Sequence, residues 1–166
     1  MIFVGYPCIG KSSIAGHDNF IDLEPSFFNN GQKDWYVHYC TIACNLSEQG
    51  YNVFISSHEE VIDYLEQMGI KFIIIYPSPK LYDEYIIRSA KRYSIFPTEK
   101  NKRAMLRIIE DFHFDVYNLS KKKNSISIPK DCKSLLSFIN EKLKPIDQEP
   151  KNISDVYESL LENTEE

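Results

Sequence analysis

Four residues near the N-terminus have the types and the spacing of a loop that binds phosphate. The pattern is Gly-x-x-x-x-Gly-Lys-Ser, and it is met by Gly5, Gly10, Lys11 and Ser12. The backbone amides of such a loop can point at phosphate oxygens, provided that glycine stands where a side chain would collide. The lysine would reach the β- and γ-phosphates of a nucleotide, and the serine hydroxyl would ligate Mg²⁺. The spacing therefore predicts nucleotide binding, and an ordinary strand-to-helix turn is the alternative.

The residues on either side of this loop are those that a phosphate site requires. An apolar run at residues 2–4 can form the strand before it, and residues 11–15 can start the helix after it. A breaker cluster at residues 16–19 makes that helix shorter than is usual after such a loop. The residues expected to contact the nucleotide are Gly5, Cys8, Ile9, Gly10, Lys11, Ser12 and Ser13.

Two carboxylates accompany the second apolar run, at residues 19–23. Asp22 and Glu24 are two residues apart, so at the end of a strand beside the loop they would point to the same side. They are candidates for an acceptor site, and capping of the next turn is the structural alternative. Further candidates for the wall of that site are Phe27, Trp35 and His58, with burial in the core as the alternative for the first two.

A cluster of cations lies on one predicted helix. Arg88, Lys91 and Arg92 fall on a single helical face, where they repel one another unless an anion lies between them. Arginines can clamp a phosphoryl group whose charge is spread over its oxygens. A solvated basic face, partly neutralised by nearby acids, is the alternative. Arg103 and Arg107 on the next helix are interpreted as an ordinary exposed face, although one of them could join the clamp.

The elements that must position these residues alternate between short apolar runs and longer helical stretches, as in β-α-β units. Strands are predicted near residues 1–5, 19–23, 51–56, 71–76 and 114–118. Helices are predicted near residues 11–16, 33–49, 58–68, 79–93, 98–111 and 130–143. Residues 120–128 are expected to form a solvated loop or a hairpin. Gly50 and Gly69 stand where left-handed C-terminal caps would end two helices.

The length of 166 residues suits one domain with a complete core. We expect that domain to span residues 1–145 and an acidic tail to span residues 146–166, with a short amphipathic helix near 153–161. The hydrophobic fraction of 43% argues against a largely disordered protein. The predicted fold class is α/β, with a five-stranded, mainly parallel sheet.

The formal net charge of −5 offers no general attraction to nucleic acid or to anionic membranes. The apolar runs are too short to span a bilayer, and the N-terminus lacks the charged and apolar regions of a signal peptide, so we expect a cytoplasmic protein. The cysteines lack the spacing of a zinc site and are expected to be reduced thiols. The sequence leaves the oligomeric state open.

The order of the motifs resembles that of the small P-loop kinases, namely the nucleoside monophosphate kinases and the shikimate and gluconate kinases. It is also similar to that of small phage-associated nucleotide kinase-like proteins. Four features over residues 1–140 carry the resemblance: the N-terminal loop, Ile-Asp-Leu-Glu at 21–24, Tyr-Pro-Ser at 76–78, and the helix with Arg88 and Arg92. The resemblance implies a three-layer P-loop sandwich with a small helical lid. It also implies that Asp22 orients the acceptor, with Glu24 in support, and that the two arginines close over the transferring group.

Other protein classes with this loop fit less well. A regulatory GTPase requires DxxG and NKxD, which we do not find, and the larger ATPases carry an acidic strand end where this chain has Ser-Ser-His or Tyr-Pro-Ser. A kinase of polynucleotide 5′ ends is disfavoured by the acidic charge. We therefore expect phosphoryl transfer from ATP, with Mg²⁺, to a small acceptor such as a nucleotide or nucleoside. The alternative is a nucleotide-binding module without small-molecule kinase activity, acting as a switch or assembly factor. The residues expected to be catalytic are Lys11, Asp22, Arg88 and Arg92.

Overall fold

The structure is an α/β fold built on a five-stranded sheet whose strands all run parallel. This computed structural model describes residues 1–17, 19–29 and 31–143. The strands are β1 (Ile2–Gly5), β2 (Phe20–Asp22), β3 (Asn52–Ser56), β4 (Phe72–Pro77) and β5 (Ser125–Ile128). Their order across the sheet is β2-β3-β1-β4-β5. The expected five-stranded sheet is confirmed, and it is wholly rather than mainly parallel.

Within the described residues, six α-helices and two short 3-10 turns accompany the strands. The helices are α1 (Lys11–Ile14), α2 (Trp35–Glu48), α3 (Glu59–Gln67), α4 (Tyr82–Ile95), α5 (Glu99–Ser120) and α6 (Leu135–Lys142). The 3-10 turns are Pro25–Phe27 and Pro79–Leu81. Parallel strands need such crossovers, because the chain must return to the same end of the sheet before each new strand.

The central strands are buried on both faces. All of β1 and the first four residues of β3 are buried, although consecutive side chains of a strand point to opposite sides. Helices must therefore cover both faces, as is usual for a parallel sheet. Phe3 and Phe54 lie opposite each other in the pairing of β1 with β3, and their rings stack with centroids 5.1 Å apart. The core thus holds β1, and with it the start of the glycine-rich loop, in a fixed position.

The first four strands and the helix ends between them agree with the sequence prediction. The strands expected near residues 1–5, 19–23, 51–56 and 71–76 are confirmed as β1 to β4. Gly50 and Gly69, which follow α2 and α3, have positive φ angles of 97° and 65°. Both helices therefore end in the expected left-handed conformation. The first helix is short, as the breaker cluster predicted.

The strand predicted near residues 114–118 is wrong, because these residues lie inside α5. In a strand, Phe112 and Phe114 would point to the same side. Here Phe112 is 1% exposed, whereas Phe114 is 68% exposed. The buried hydrophobic residues of the helix recur every three or four positions, at Ile108, Phe112, Val116 and Leu119. Burial of this helical face therefore outweighs the β-propensity of the aromatic residues.

The fifth strand lies instead in the segment predicted to be a solvated loop or a hairpin. That prediction is wrong for residues 125–128, which form β5 and pair in parallel with β4. Asn124 supports the pairing, since its Nδ2 donates a hydrogen bond to the carbonyl oxygen of Phe72 at 2.9 Å. The lysine-rich stretch before the strand is the turn, where Lys122 pairs with Glu66 at 2.7 Å.

The last described helix begins later than predicted. Ser134 is its N-cap, with the hydroxyl oxygen accepting a hydrogen bond from the amide of Ser137 at 3.1 Å. The predicted domain boundary at residue 145 and the helix near 153–161 lie outside the described residues. None of the helices in the described part of the chain is long and apolar enough to cross a membrane.

Candidate functional site

The candidate site lies where the carboxyl ends of the strands meet. β1 lies between β3 and β4, with Gly5 opposite Ser56 on one side and Ile75 on the other. The chain passes from β1 to β2 at one edge of the sheet and from β4 to β5 at the other. In open parallel sheets such a reversal leaves a crevice beyond the strand ends, and ligands bind there. The loop of residues 5–12, hereafter the 5–12 loop, begins at that crevice.

Most backbone amides of the 5–12 loop are unpaired within the described residues, although that of Tyr6 donates to the carbonyl oxygen of Ile75 at 3.1 Å. Within the described residues, no carbonyl or side chain accepts a hydrogen bond from the unpaired amides, which belong to Cys8, Ile9, Gly10, Lys11 and Ser12. Gly10 has a φ of 102° immediately before α1, and Cys8 is a non-glycine residue with a φ of 61°. Strained backbone with unpaired amides is typical of a concave site for an anion. The loop is therefore suited to phosphate.

Gly5 leaves room for the side chain of Lys11. A Cβ atom at Gly5 would lie 2.7 Å from Cδ of Lys11 and 2.9 Å from Cδ1 of Ile9. Carbon atoms in contact normally stay at least about 3.5 Å apart, so any other residue would displace the lysine. The first glycine of the motif is thus required by a close contact.

Lys11 is turned back onto the loop that precedes it. Its Nζ donates to the carbonyl oxygen of Gly5 at 3.0 Å and to that of Tyr6 at 3.3 Å. Burial lowers the pKa of the Lys11 ammonium, although the charge of Asp22 opposes this effect. Hydrogen bonds to an anionic acceptor are stronger than those to a neutral carbonyl. The buried ammonium would therefore gain stability from a phosphate in place of its present partners.

Ser12 and Asp22 are brought together by α1 and β2. The Ser12 hydroxyl donates a hydrogen bond to Oδ2 of Asp22 at 2.9 Å. Both side chains offer oxygen atoms, and nucleotide-bound Mg²⁺ adds phosphate oxygens and waters to one or two such protein ligands. The pair therefore fits a Mg²⁺ site that a nucleotide would complete. In residues 1–17, 19–29 and 31–143, no group of three His, Cys, Asp or Glu side chains forms a metal site by itself.

Glu24 links the end of β2 to α5. Its carboxylate pairs with the ammonium of Lys100 and accepts a hydrogen bond from the amide of Ser26 at 3.4 Å. Burial would raise the pKa of Glu24, but Lys100 and Ser26 outweigh burial and lower the pKa below its usual range. Glu24 caps the following turn, as the structural alternative supposed, and it also lines the larger of the two cavities described below.

Two of the three cations predicted to cluster on α4 reach the site. Nη1 of Arg88 donates to the carbonyl oxygen of Cys8 at 3.1 Å, and its guanidinium lies 4.8 Å from the ring centroid of Tyr85. Arg92 lines the larger cavity. Lys91 is exposed and lines neither cavity, as the described residues shape them. The helix thus presents both arginines, but not Lys91, to the loop.

Arg107 lines the larger cavity, whereas the sequence interpretation placed it on an ordinary exposed face and left open only that it or Arg103 could join the clamp. Arg103 is exposed as predicted, since its side chain is 75% exposed and pairs with Glu99 at 3.9 Å, although it also lines the larger cavity. Arg107 is only 30% exposed, and its Nε donates to Oδ2 of Asp115 at 2.7 Å beside the larger cavity. The two residues are eight positions apart on α5. A spacing of eight residues places both side chains on one face of a helix, which would have indicated the ion pair. The predicted helix ended at residue 111 and therefore excluded Asp115.

Three further acceptor-site candidates have different positions. His58 lines the larger cavity, with Nδ1 2.8 Å from the Ser56 hydroxyl, and burial lowers its pKa. Burial therefore favours the neutral form of the imidazole. Trp35 is 7% exposed and packs edge-on against His58, with ring centroids 5.5 Å apart. Phe27 is 85% exposed. In the described part of the chain, neither aromatic residue lines the cavity.

Two cavities meet at the 5–12 loop. The larger, of about 770 Å³, lies between the loop, the ends of β2 and β3, and the helices α4 and α5. The smaller, of about 480 Å³, lies between the loop, α4 and the start of α6. Its apolar lining includes Leu81, Tyr85, Ile128, Pro129 and Leu135. Residues that line both cavities are Cys8, Gly10, Ser13 and Arg88. A ligand bound in the smaller cavity could therefore extend across the loop and contact a second ligand in the larger cavity.

Comparison with protein-family models and with curated proteins identifies no relative of this chain. No protein-family model matches the sequence, and no curated protein matches it significantly. A fold alone does not imply a function, because one fold hosts many activities. The function of this chain must therefore be argued from the residues and geometry of the site.

Proposed function

We propose that this protein transfers the γ-phosphoryl group of ATP to a small acceptor, a nucleotide or a nucleoside. The observation that carries the proposal is the pairing of Ser12 with Asp22, beside Lys11, where the two cavities meet. The hydroxyl and the carboxylate can ligate Mg²⁺, and the lysine supplies positive charge. Phosphoryl transfer is catalysed mainly by positioning and by neutralising charge, which are the properties that these groups supply.

The donor nucleotide would lie across the 5–12 loop with its base in the smaller cavity. The apolar walls of that cavity suit a flat heteroaromatic ring, and Arg88 at its boundary suits the phosphate chain. The free amides of the loop and the ammonium of Lys11 would hold the β- and γ-phosphates. Mg²⁺, when bound beside Ser12, would neutralise part of the phosphate charge.

The acceptor would occupy the larger cavity. Asp22 lines this cavity, so its carboxylate can orient an acceptor hydroxyl toward the γ-phosphate or accept the proton of that hydroxyl. Arg88 and Arg92 border the same space and would stabilise charge on the oxygens of the transferring group. Each group would then act on the reacting atoms from a fixed backbone position.

One observation favours a second candidate, a nucleotide-binding module without small-molecule kinase activity. β3 ends at Ser56, followed by Ser57 and His58, so this strand end contributes no carboxylate to the metal or to a nucleophile. A protein that only binds nucleotide needs the loop and Lys11, but it does not need a base. The second candidate therefore shares the donor site and lacks the acceptor chemistry.

The experiment that tests the proposal measures the rate of ADP release from Mg-ATP in the presence of each candidate acceptor. The acceptors are nucleosides, nucleoside monophosphates, shikimate and gluconate. The Lys11→Ala protein serves as the blank. We expect at least one acceptor to stimulate ADP release in the wild-type protein and none to do so in the variant. ATP binding measured in parallel separates the two candidates, because binding without stimulation by any acceptor would support the nucleotide-binding module.

A further inference from the structure

Arg107 lines the cavity assigned to the acceptor and is held there by two contacts. Its Nε donates to Asp115 at 2.7 Å, and its Nη2 donates to the carbonyl oxygen of Ser57 at 3.4 Å. The guanidinium also lies over the ring of Tyr6, 5.9 Å from the centroid. These contacts come from α5, from the end of β3 and from the residue after β1. The guanidinium is therefore oriented before any ligand binds.

The contacts of Arg107 use only part of its hydrogen-bonding capacity. A guanidinium has five N–H donors in a planar fork. One on Nε and one on Nη2 are used, so three donors lack a partner within the described residues. Because the side chain is 30% exposed and lines the cavity, these donors can reach a ligand. Such a fork matches the geometry of a phosphate or a carboxylate.

The charges around the cavity also point to an anion beyond the donor phosphates. Among the described residues, six cationic side chains and two carboxylates line it. Lys100 is paired with Glu24, and Lys11 and Arg88 contact the 5–12 loop, where the donor phosphates would lie. Arg107 instead donates its hydrogen bonds to Asp115 and to the carbonyl oxygen of Ser57, directly after β3, the strand that pairs with β2. A neutral acceptor would leave this oriented cation without an ionic partner in the ligand.

We propose that Arg107 is a specificity-determining residue that binds an anionic group of the acceptor itself, either a phosphate monoester or a carboxylate. The inference rests on the proposed function and narrows its substrate class, since it excludes neutral nucleosides. Asp115 and the carbonyl of Ser57 are positioning groups that fix the plane of the guanidinium. The groups assigned to the donor phosphates are the loop amides, Lys11 and Arg88, so loss of the Arg107 charge is expected to affect the acceptor and not the donor.

The first arm of the test uses the unmodified protein and matched acceptors. Each nucleoside 5′-monophosphate is compared with its nucleoside, and shikimate and gluconate represent the carboxylate source. We expect the best anionic acceptor to exceed every neutral nucleoside in kcat/KM by at least about 100-fold, since a site built for a polar group discriminates strongly against its absence. A neutral nucleoside that reacts as well as any anionic acceptor would overturn the inference and leave the proposed function intact.

The second arm uses Arg107→Gln, with Lys102→Gln as a control on the same helix. Lys102 is exposed and lines neither cavity within the described residues. We expect Arg107→Gln to raise the KM of the anionic acceptor at least about tenfold, as the loss of a charged hydrogen bond does, while the KM of ATP stays within about twofold. The control should change neither. An unchanged acceptor KM in Arg107→Gln would contradict the inference.

Removal of Arg107 leaves Asp115 without its partner, so the fold needs a separate check. The double variant Arg107→Gln/Asp115→Asn removes both charges together and should show the same rise in acceptor KM. Asp115→Asn alone retains the cation and should produce a smaller rise, which Asp115→Glu reverses if the carboxylate positions Arg107. The absence of ADP release with every acceptor in the wild-type protein would overturn both the inference and the proposed function.

Discussion

The hydroxyl of Ser12 and the carboxylate of Asp22 are joined by a hydrogen bond of 2.9 Å between the first turn of α1 and the end of β2. The two residues are ten apart in sequence, and the parallel sheet places them at one edge. A Mg²⁺ ligand and an acidic group for the acceptor are thereby held beside each other. The position of Asp22 is set by its strand, which pairs with β3, and not by a mobile loop.

The first prediction concerns Asp22. The change Asp22→Asn preserves the size of the side chain but removes the charge that would face Mg²⁺ and the acceptor hydroxyl. We expect kcat to fall about 10- to 100-fold and the Mg²⁺ concentration for half-maximal rate to rise, as is usual for groups that support a metal ligand. Steady-state rates over a Mg²⁺ titration provide the measurement. Asp83→Asn, at an exposed position of α4, is the control, and equal rates in both variants would refute the role of Asp22.

The second prediction concerns Gly5. In Gly5→Ala the new Cβ would collide with Lys11, whose Cδ lies 2.7 Å from that position. We expect the lysine to be displaced and the affinity for Mg-ATP to fall about tenfold, equivalent to about 1.4 kcal/mol. Calorimetric titration of both proteins measures the change.

Gly69→Ala is the matched control for this substitution. Gly69 has a φ of 65° at the end of α3, and nothing lies within 4 Å of its absent Cβ. An alanine there should lower the free energy of unfolding by about 1 kcal/mol through its backbone conformation, and should leave ATP binding unchanged. If Gly5→Ala bound ATP like this control, the close contact with Lys11 would have no functional meaning.

The third prediction concerns the pH dependence of ATP binding. Burial lowers the pKa of Lys11 in the free protein, and phosphates next to the ammonium would favour its charged form. The pKa should therefore be higher in the complex than in the free protein. It follows that Mg-ATP affinity falls as pH rises through the lowered pKa, because binding must then take up a proton. Titrations in buffers of different ionisation enthalpy measure that uptake, and an affinity independent of pH up to about pH 10 would contradict the prediction.

The fourth prediction concerns the start of α5, which carries Lys100 and Arg107. Thr98 is its N-cap, and Oγ1 accepts a hydrogen bond from the amide of Asn101 at 3.2 Å. Thr98→Ala should reduce the free energy of unfolding by about 1 kcal/mol. Thr41→Ala removes a threonine hydroxyl in the middle of α2, where it donates to the carbonyl oxygen of Val37, and should cost less than about 0.5 kcal/mol. Urea unfolding of the two variants compares these values, and equal losses would argue against the cap.

The parts of the site that depend on local sequence were predictable. The 5–12 loop needs particular residue types at a fixed spacing, and its position after β1 follows from the apolar run at residues 2–4. The position of Asp22 was also predictable, because the end of a parallel strand beside the loop faces the same crevice. What the sequence did not provide was the partner of each group, such as Lys100 for Glu24.

The parts that depend on packing between distant elements were not predictable. Residues 114–118 combine aromatic and β-branched side chains, so their local preference resembles that of a strand. Burial of one helical face against α4, β4 and β5 stabilises α5 as a helix as far as Ser120. Because α5 is continuous, Asp115 lies about two helical turns after Arg107 on the same face, and its carboxylate orients the guanidinium. The error in one element therefore concealed the ion pair between Arg107 and Asp115.

The most direct measurement of the proposed activity follows the label from ATP that carries ³²P in its γ-phosphate, in the presence of Mg²⁺ and each acceptor. We expect the label to appear in the acceptor with the wild-type protein and to remain in ATP with Lys11→Ala and Lys11→Met. Label that appears only in inorganic phosphate, or that stays in ATP although ATP is bound, would contradict phosphoryl transfer to a small acceptor. That result would favour the nucleotide-binding module.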